Sequence, residues 1–312
     1  MTYTPVLVGI EKLNKIVHLA DIHIRLFKRH DEYRECFETL YNQLRQEDLT
    51  DSVIVVAGDI LHAKTDMSPE MVMLATEFLK KLADIAPTLV IAGNHDLNLS
   101  NMNRLDSLTP LIKSINHDQL FYLKHSGIYR VGDTDIAVFS ILDDKEKWPS
   151  VKDCESKKKI ALYHGPVHGA QTDARYVITN RHVEVSLFNG FDMVLLGDIH
   201  KYQVLQESNP AIVYSSSLIQ QNHGEALLGH GFSLWNVKQR TYTHVEIPND
   251  YGYFTIDIDD GKLITDIATL PRKPKLRVRC KESIATEVKK VVNEIRKTHD
   301  ISDLIYVRVD SD

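Results

Sequence analysis

The sequence is poor in cysteine: Cys36, Cys154 and Cys280 are the only three in 312 residues. They lie far apart and match neither a disulfide framework nor a zinc spacing, which excludes a stapled secreted scaffold and points to a reducing compartment. No apolar run approaches the length of a membrane span. The N-terminal "MTYTPVLVGIEKLNK" lacks the basic start and long apolar stretch of a leader. A soluble, cytoplasmic protein with no membrane association is therefore expected. Positive charge is not in excess either, with 37 Lys and Arg against 43 Asp and Glu and a net charge of −6. Nucleic-acid binders usually read basic, but steering toward a polyanion depends on local fields. "RLFKRH" (25–30), "SKKK" (156–159) and "PRKPKLRVRCK" (271–281) are locally basic. Solvated surface explains each of these runs equally well.

What is present is an ordinary globular mixture, 43% hydrophobic and 26% charged, long enough for one large domain and a smaller one. Five short runs rich in Val, Ile and Leu recur: 15–21, 52–59, 88–96, 159–165 and 192–200. They are apolar on both faces, as strands covered by other layers are. Between them lie helical patterns. In 31–47, Phe37, Leu40, Tyr41 and Leu44 share one face. In 68–86, Ser68 is the expected N-cap, Pro69 sits in the first turn, and Leu74, Phe78, Leu82 and Ile85 form a stripe. The alternation predicts an α/β layered fold. From about 203 the pattern turns to strands, "AIVYSSSLI", "GFSLWNV" and "TYTHVEI". A hairpin around Asp260-Gly261, a strand "KLRVRC", an amphipathic helix "SIATEVKKVVNEIRK" and a strand "LIYVRV" follow. The expected division is a large domain over 1–250 and a small α+β domain over 251–312.

All five candidate strands end in groups that bind hard or borderline metals. They offer Asp21 and His23; Asp59; Asn94, His95 and Asp96; His164; and Asp198 and His200. Each alone is compatible with turn chemistry, since Asp and Asn bond their own backbone at strand ends. Five ends out of five are harder to assign to turns. Ligands beyond the carboxyl ends of strands converge on one rim in α/β sheets. Oxygen-rich ligands with some imidazole and no thiolate suit Mn²⁺, Mg²⁺, Fe²⁺ or Zn²⁺. About eight ligands exceed what one ion takes, so a pair of ions sharing a carboxylate is expected, suited to phosphoryl transfer.

Asp21-x-His23, Gly58-Asp59-x-x-His62, Gly93-Asn94-His95-Asp96, His164-Gly165 and Gly197-Asp198-x-His200 resemble the ordered signature of calcineurin-like metallophosphoesterases. Within that superfamily the chain is similar to the SbcD-type DNA double-strand-break repair nucleases, including those of T-even phages. "GDILHAK" stands where protein phosphatases carry Asp-Arg-Gly, and "IVYSSSLIQQNHGE" (212–225) is similar to a Ser-rich segment of the nucleases. The resemblance covers roughly 15–235 and implies a layered β-sandwich flanked by helices, a DNA-capping role for the small α+β domain over 251–312, and two Mn²⁺ ions, Mg²⁺ being possible. One ion would take Asp21, His23, Asp59 and His200, the other Asp59, Asn94, His164 and Asp198, with Asp59 as bridge. His95 would act on the scissile phosphate, oriented by Asp96, and His62 would lie near the nucleotide. The family usually has His where this chain has Asp198, a departure that adds negative charge and favours harder ions.

The resemblance further implies 3′-to-5′ exonuclease action on duplex DNA, endonuclease action on single strands, and a role in recombination and repair. Expected partners are DNA, a coiled-coil SMC-like ATPase, and a second copy of the chain through a helical 97–115. The ATPase docking helices that follow the second domain in such nucleases are not found in this sequence, so the usual docking is not expected. Arg175, Arg181 and His182 could contact a strand backbone or form surface salt bridges. The competing readings are a phosphomonoesterase or protein phosphatase of the same superfamily, and an inactive binding scaffold.

Overall fold

The computed structural model describes residues 3–6, 8–281 and 283–309. The last three positions of the expected second domain lie outside them. The five apolar runs all form strands, but they divide between two sheets. Lys15–Leu19, Val53–Ala57 and Thr88–Ile91 lie side by side and parallel in a six-stranded sheet. Leu120–Tyr122 extends it at one edge, and the hairpin Gly231–Asn236 and Thr241–Glu246 at the other. Lys158–His164 and Met193–Gly197 are neighbours in a seven-stranded sheet, flanked by Thr134–Phe139 and Ala211–Tyr214, all parallel. The run "AIVYSSSLI" is a strand only over Ala211–Tyr214.

Strand alternation explains why these runs are apolar on both faces. Ile16, Val53, Val55, Ala57, Leu89 and Ile91 pack toward Ile136, Val138, Ile160, Leu162, Met193 and Leu195, filling the layer between the sheets. The intervening residues, Val17, Leu19, Ile54, Val56 and Val90, face the helices His30–Gln46 and Pro69–Ile85. Burying one such side chain contributes about 1.5–3 kcal/mol, so an apolar residue is favoured at every position of a doubly covered strand. Pro69–Ile85 starts where predicted: the Ser68 hydroxyl accepts the Met71 N–H at 3.1 Å. The rings of Phe37 and Phe78 stack at 4.2 Å and join the two helices. His18 is buried between the sheets, its Nε2–H donating to the Leu196 carbonyl at 3.0 Å.

The helix expected over 97–115 is confined to Leu108–Ile115. Over 98–104 the chain folds into turns instead. Asn98 Oδ1 accepts the Ser100 N–H and Asn101 Oδ1 accepts the Asn103 N–H, local bonds that compete with a helix ladder. Leu99, Met102 and Leu105 are consequently exposed.

Contacts divide the chain into two compact units: residues up to Ile219 with Gly229–Ile247, and Gln220–Leu228 with the residues from Pro248 onward. The second unit has its own core, in which Ile256, Ile258, Leu276 and Val278 pack with Val288, Val292 and Ile295 of the helix Ala285–Arg296. Its sheet runs Lys262–Leu263, Tyr251–Asp259, Lys273–Lys281, Asp303–Arg308. The predicted hairpin turn forms, with Asp260 at φ 46° and Gly261 at φ 72°. Gln220 joins this unit by donating to the Tyr253 carbonyl and accepting the Tyr253 N–H. Among the described residues no helix is long and apolar enough to cross a membrane.

Candidate metal centre

The carboxyl ends of five strands from two sheets meet at one place in the first unit. They are drawn together by backbone bonds between the loops that leave them. The Asp21 N–H donates to the Gly58 carbonyl at 3.0 Å, and the His23 N–H to the Asp59 carbonyl at 2.9 Å. Across the sheets, the Asp198 N–H lies 3.1 Å from both Asp21 oxygens, and His164 Nδ1–H donates to the Ala57 carbonyl at 2.7 Å. Asp21, His23, Asp59 and Asp198 all have positive φ, 54°, 54°, 53° and 101°. Such backbone costs about 1–3 kcal/mol per residue and persists only where the surroundings hold it, typically at functional sites. Here it occurs one to four residues past the strand ends, in the loops where the four side chains converge.

Two glycines provide the room. A Cβ on Gly58, itself at φ +89°, would stand 2.4 Å from His164 Nδ1. A Cβ on Gly93 would stand 2.1 Å from Asp59 Oδ1. Glycine at 58 thus leaves room for the His164 ring, and glycine at 93 for the Asp59 carboxylate, each a ligand candidate from a different loop.

The side-chain distances describe two adjoining pockets. Asp59 Oδ1 accepts the His95 N–H at 2.8 Å, which fixes the carboxylate. Its Oδ2 lies 3.4 Å from His23 Nε2 on one side and 3.4 Å from His164 Nε2 on the other. On the first side, His23 Nε2 is 2.9 Å from His200 Nε2 and 4.0 Å from Asp21 Oδ1. On the second, His164 Nε2 is 3.0 Å from Asn94 Oδ1 and 3.8 Å from Asp198 Oδ1. Ligands about 2.1 Å from a six-coordinate ion are roughly 3.0 Å apart when adjacent and 4.2 Å when opposed. All these separations fall in or next to that window. Asp21, His23 and His200, and separately Asp21, Asp59 and His164, are each grouped closely enough to hold an ion. His200 is supported from behind by the Ser-rich segment, where the Ser217 N–H donates to its carbonyl at 3.0 Å.

Electrostatics fit the same reading. Burial pushes the Asp21 carboxyl up to about 7, only partly offset by His164 and His200. Burial likewise raises Asp198. It would raise Asp59 too, but His164 and His23 pull harder and hold it well below the usual carboxylate range. Burial opposes charge on His164, yet Asp59, Asp21 and Asp198 keep it protonated well above the ordinary imidazole value. Asp21 and Asp198, raised by burial, favour their protonated forms, whereas Asp59 stays ionised; divalent ions would displace those protons.

Three histidines line the rim. His23, His62 and His95 form a third close group. His95 Nδ1–H donates to the His62 carbonyl at 2.7 Å, which leaves Nε2 for other partners. The expected contact from Asp96 to the His95 ring is not what holds it. Asp96 is fully buried, and its oxygens accept the N–H groups of Ile60, Leu61 and Gly93 at 3.3, 2.9 and 2.9 Å. Adjacent side chains at a strand end diverge, so the carboxylate braces the loop beneath the site. His62 is half-buried, and burial followed by the charge of Arg25 lowers it to about 4. Arg25 was not singled out from the sequence beyond its basic run, yet its Nη1 donates to His62 Nε2 at 2.7 Å. Its position two residues after His23, in Asp-x-His-x-Arg, was the available signal. Tyr33 was also missed; its hydroxyl donates to the His23 carbonyl.

Residues 14–202 match the sequence profile of the Calcineurin-like phosphoesterase family. The chain is also similar to an uncharacterized protein, R555, of Acanthamoeba polyphaga mimivirus, at 42% identity over 305 residues. The match covers 94% of this chain and 22% of that relative, so the chain spans about a fifth of the relative's length.

Proposed function

Because this chain belongs to the calcineurin-like phosphoesterase family, we propose that it is a two-metal DNA nuclease, a 3′-to-5′ exonuclease on duplexes and an endonuclease on single strands. The observation that carries the two-metal reading is Asp59 Oδ2, placed 3.4 Å from a ring nitrogen in each pocket. One pocket is Asp21, His23, Asp59 and His200. The other is Asp59, Asn94, His164 and Asp198. Mn²⁺ is the preferred pair, with Mg²⁺ possible, because three carboxylates and an amide oxygen make a hard donor set. When bound, two such ions supply positive charge against the phosphoryl oxygens and acidify a water molecule.

The chain's own groups complete the site. His95, held through Nδ1, directs Nε2 away from its anchor and serves the scissile phosphate as proton donor. Arg25 beside His62 contributes a fixed positive charge that suits phosphate. DNA is favoured over phosphomonoesters and phosphoproteins by "GDILHAK" in place of Asp-Arg-Gly and by the basic runs at 25–30 and 271–281. The same reading proposes an SMC-like ATPase as partner and a second copy of the chain at 97–115, a segment in which Leu99, Met102 and Leu105 are exposed. The test compares Mn²⁺-dependent degradation of a labelled duplex with turnover of p-nitrophenyl phosphate. Duplex degradation is expected to dominate; preference for the monoester would instead establish a phosphatase, and inactivity on both a scaffold.

A further inference from the structure

The loop that leaves the first ligand strand holds an exposed ring. Phe27 is 66% exposed, although Leu26 beside it packs against the core. An isolated exposed apolar residue is ordinary, but this one is held in place from several directions. The Arg25 carbonyl accepts from His30 Nε2 at 2.7 Å, and the Leu26 carbonyl accepts the Ser68 hydroxyl. Arg29 has φ 65° and binds Glu32 through two bonds of 2.8 and 3.0 Å. The backbone on both sides of the ring is therefore fixed, and the ring cannot withdraw into the core without breaking these bonds.

Its location ties it to the chemistry. Phe27 is four residues from His23 and two from Arg25, whose guanidinium touches His62 at the rim. Lys28, next to the ring, is exposed. An exposed aromatic ring on an anchored loop, with Arg25 and Lys28 within two residues of it in the chain, matches the recurrent solution for a single nucleic-acid strand, bases stacking on rings while cations follow the backbone.

We propose that Phe27 is a nucleobase-stacking residue that positions the nucleotide next to the scissile phosphate and so selects nucleic acid among phosphoesters. The inference rests on the nuclease reading above and adds a specificity determinant to it. The experiment is a double-mutant cycle with Mn²⁺ and a labelled single-stranded oligonucleotide. Wild type, Phe27→Ala and Phe27→Trp are each given the intact strand and strands carrying one tetrahydrofuran abasic residue on either side of the cleavage position. Stacking predicts that Phe27→Ala loses about 5- to 100-fold in kcat/KM on the intact strand, while Phe27→Trp keeps most of it. It also predicts that one abasic position costs wild type a similar factor and costs Phe27→Ala almost nothing. Urea unfolding of Phe27→Ala should match wild type, since the ring is exposed. Equal abasic penalties in both proteins, wild-type kcat/KM for Phe27→Ala, or a marked loss of its stability would each overturn the inference while leaving the nuclease reading intact. If wild type cleaves no oligonucleotide, both readings fall together.

Discussion

An alanine at position 93 tests the shared carboxylate through sterics alone. Gly93 does not use left-handed backbone, so alanine is conformationally acceptable there. The obstacle is contact: the added Cβ would lie 2.1 Å from Asp59 Oδ1, 2.3 Å from Asp59 N and 2.7 Å from Asp59 Cγ. Ordinary contact starts near 3.4 Å, so the carboxylate must retreat by about 1.3 Å or the loop must give by as much. Ligand distances tolerate only about 0.2 Å, so such a retreat removes Oδ2 from both pockets at once. Misplacement of a reacting group by about 1 Å costs on the order of 100-fold in rate, and overpacking costs about 1–3 kcal/mol of stability. Gly93→Ala is therefore expected to remain folded in urea titrations, to lose two-ion stoichiometry in Mn²⁺ calorimetry, and to lose at least about 100-fold in turnover. Gly169→Ala is the control. Its φ is +89° and its Cβ would meet nothing within 4 Å, so it should cost about 1–2 kcal/mol of backbone strain and leave metal binding alone. A Gly93→Ala protein that takes up two ions and turns over at the wild-type rate would refute the assignment of Asp59 as the fixed, shared ligand.

Other outcomes follow from single groups. His95→Ala should bind Mn²⁺ with unchanged stoichiometry in calorimetry but lose about 10²- to 10⁴-fold in kcat, because the ring serves proton transfer and its backbone N–H alone contacts Asp59. Asp198→His should shift preference from Mn²⁺ and Mg²⁺ toward Zn²⁺ in competition binding; an unchanged order would place Asp198 outside the ligand set. Burial raises Asp21 from 3.8 to about 7, so the metal-free native state binds a proton that the unfolded chain releases. That contribution to stability is present at low pH and is lost as pH rises from about 4 to 7, where divalent ions replace the proton. The increase in Tm on adding Mn²⁺ should accordingly grow between pH 5.5 and 7.5, and a flat increment would count against the coupling.

Much of the site was legible because buried strands advertise their ends. Val53–Ala57 and Met193–Gly197 are buried at every position, so their sequences read as unbroken apolar runs, and the first polar residues after Gly58 and Gly197 stand out. What periodicity could not supply was partnership. Ser233 pairs with His18 across more than two hundred residues, and nothing local in "GFSLWNV" names Lys15–Leu19 as its neighbour. The division of five ends between two sheets is hidden for the same reason: an apolar face packs equally well on a helix or on another sheet. Sequence adjacency also misled at Asp96, whose carboxylate serves three backbone N–H groups. In 97–105, helical spacing of Leu and Met lost to asparagine turn chemistry, because nothing buries Leu99, Met102 or Leu105 within the chain to reward a helix.

His18 shows how a residue invisible as a signal can still be tested through pH. It is a polar interruption of "KIVHLAD" that sequence reasoning passes over. In the fold it bonds Leu196 of the opposite sheet through Nε2 and accepts from Trp235 Nε1 at 3.4 Å, so both nitrogens are occupied and neither has room for a second proton. Burial lowers its pKa from 6.5 to about 3. The unfolded chain therefore binds a proton below 6.5 that the native state refuses. Stability from this group is complete above pH 6.5 and is lost as pH falls toward 3. At pH 5 the loss is about 2 kcal/mol, from roughly 1.4 kcal/mol per pH unit. His18→Gln can keep a donor to Leu196 but does not titrate. Its stability deficit relative to wild type, measured by urea unfolding in the presence of Mn²⁺, should shrink by about that amount between pH 7 and pH 5. A constant deficit would mean that protonation of His18 is accommodated between the sheets, which the two bonds and complete burial rule against.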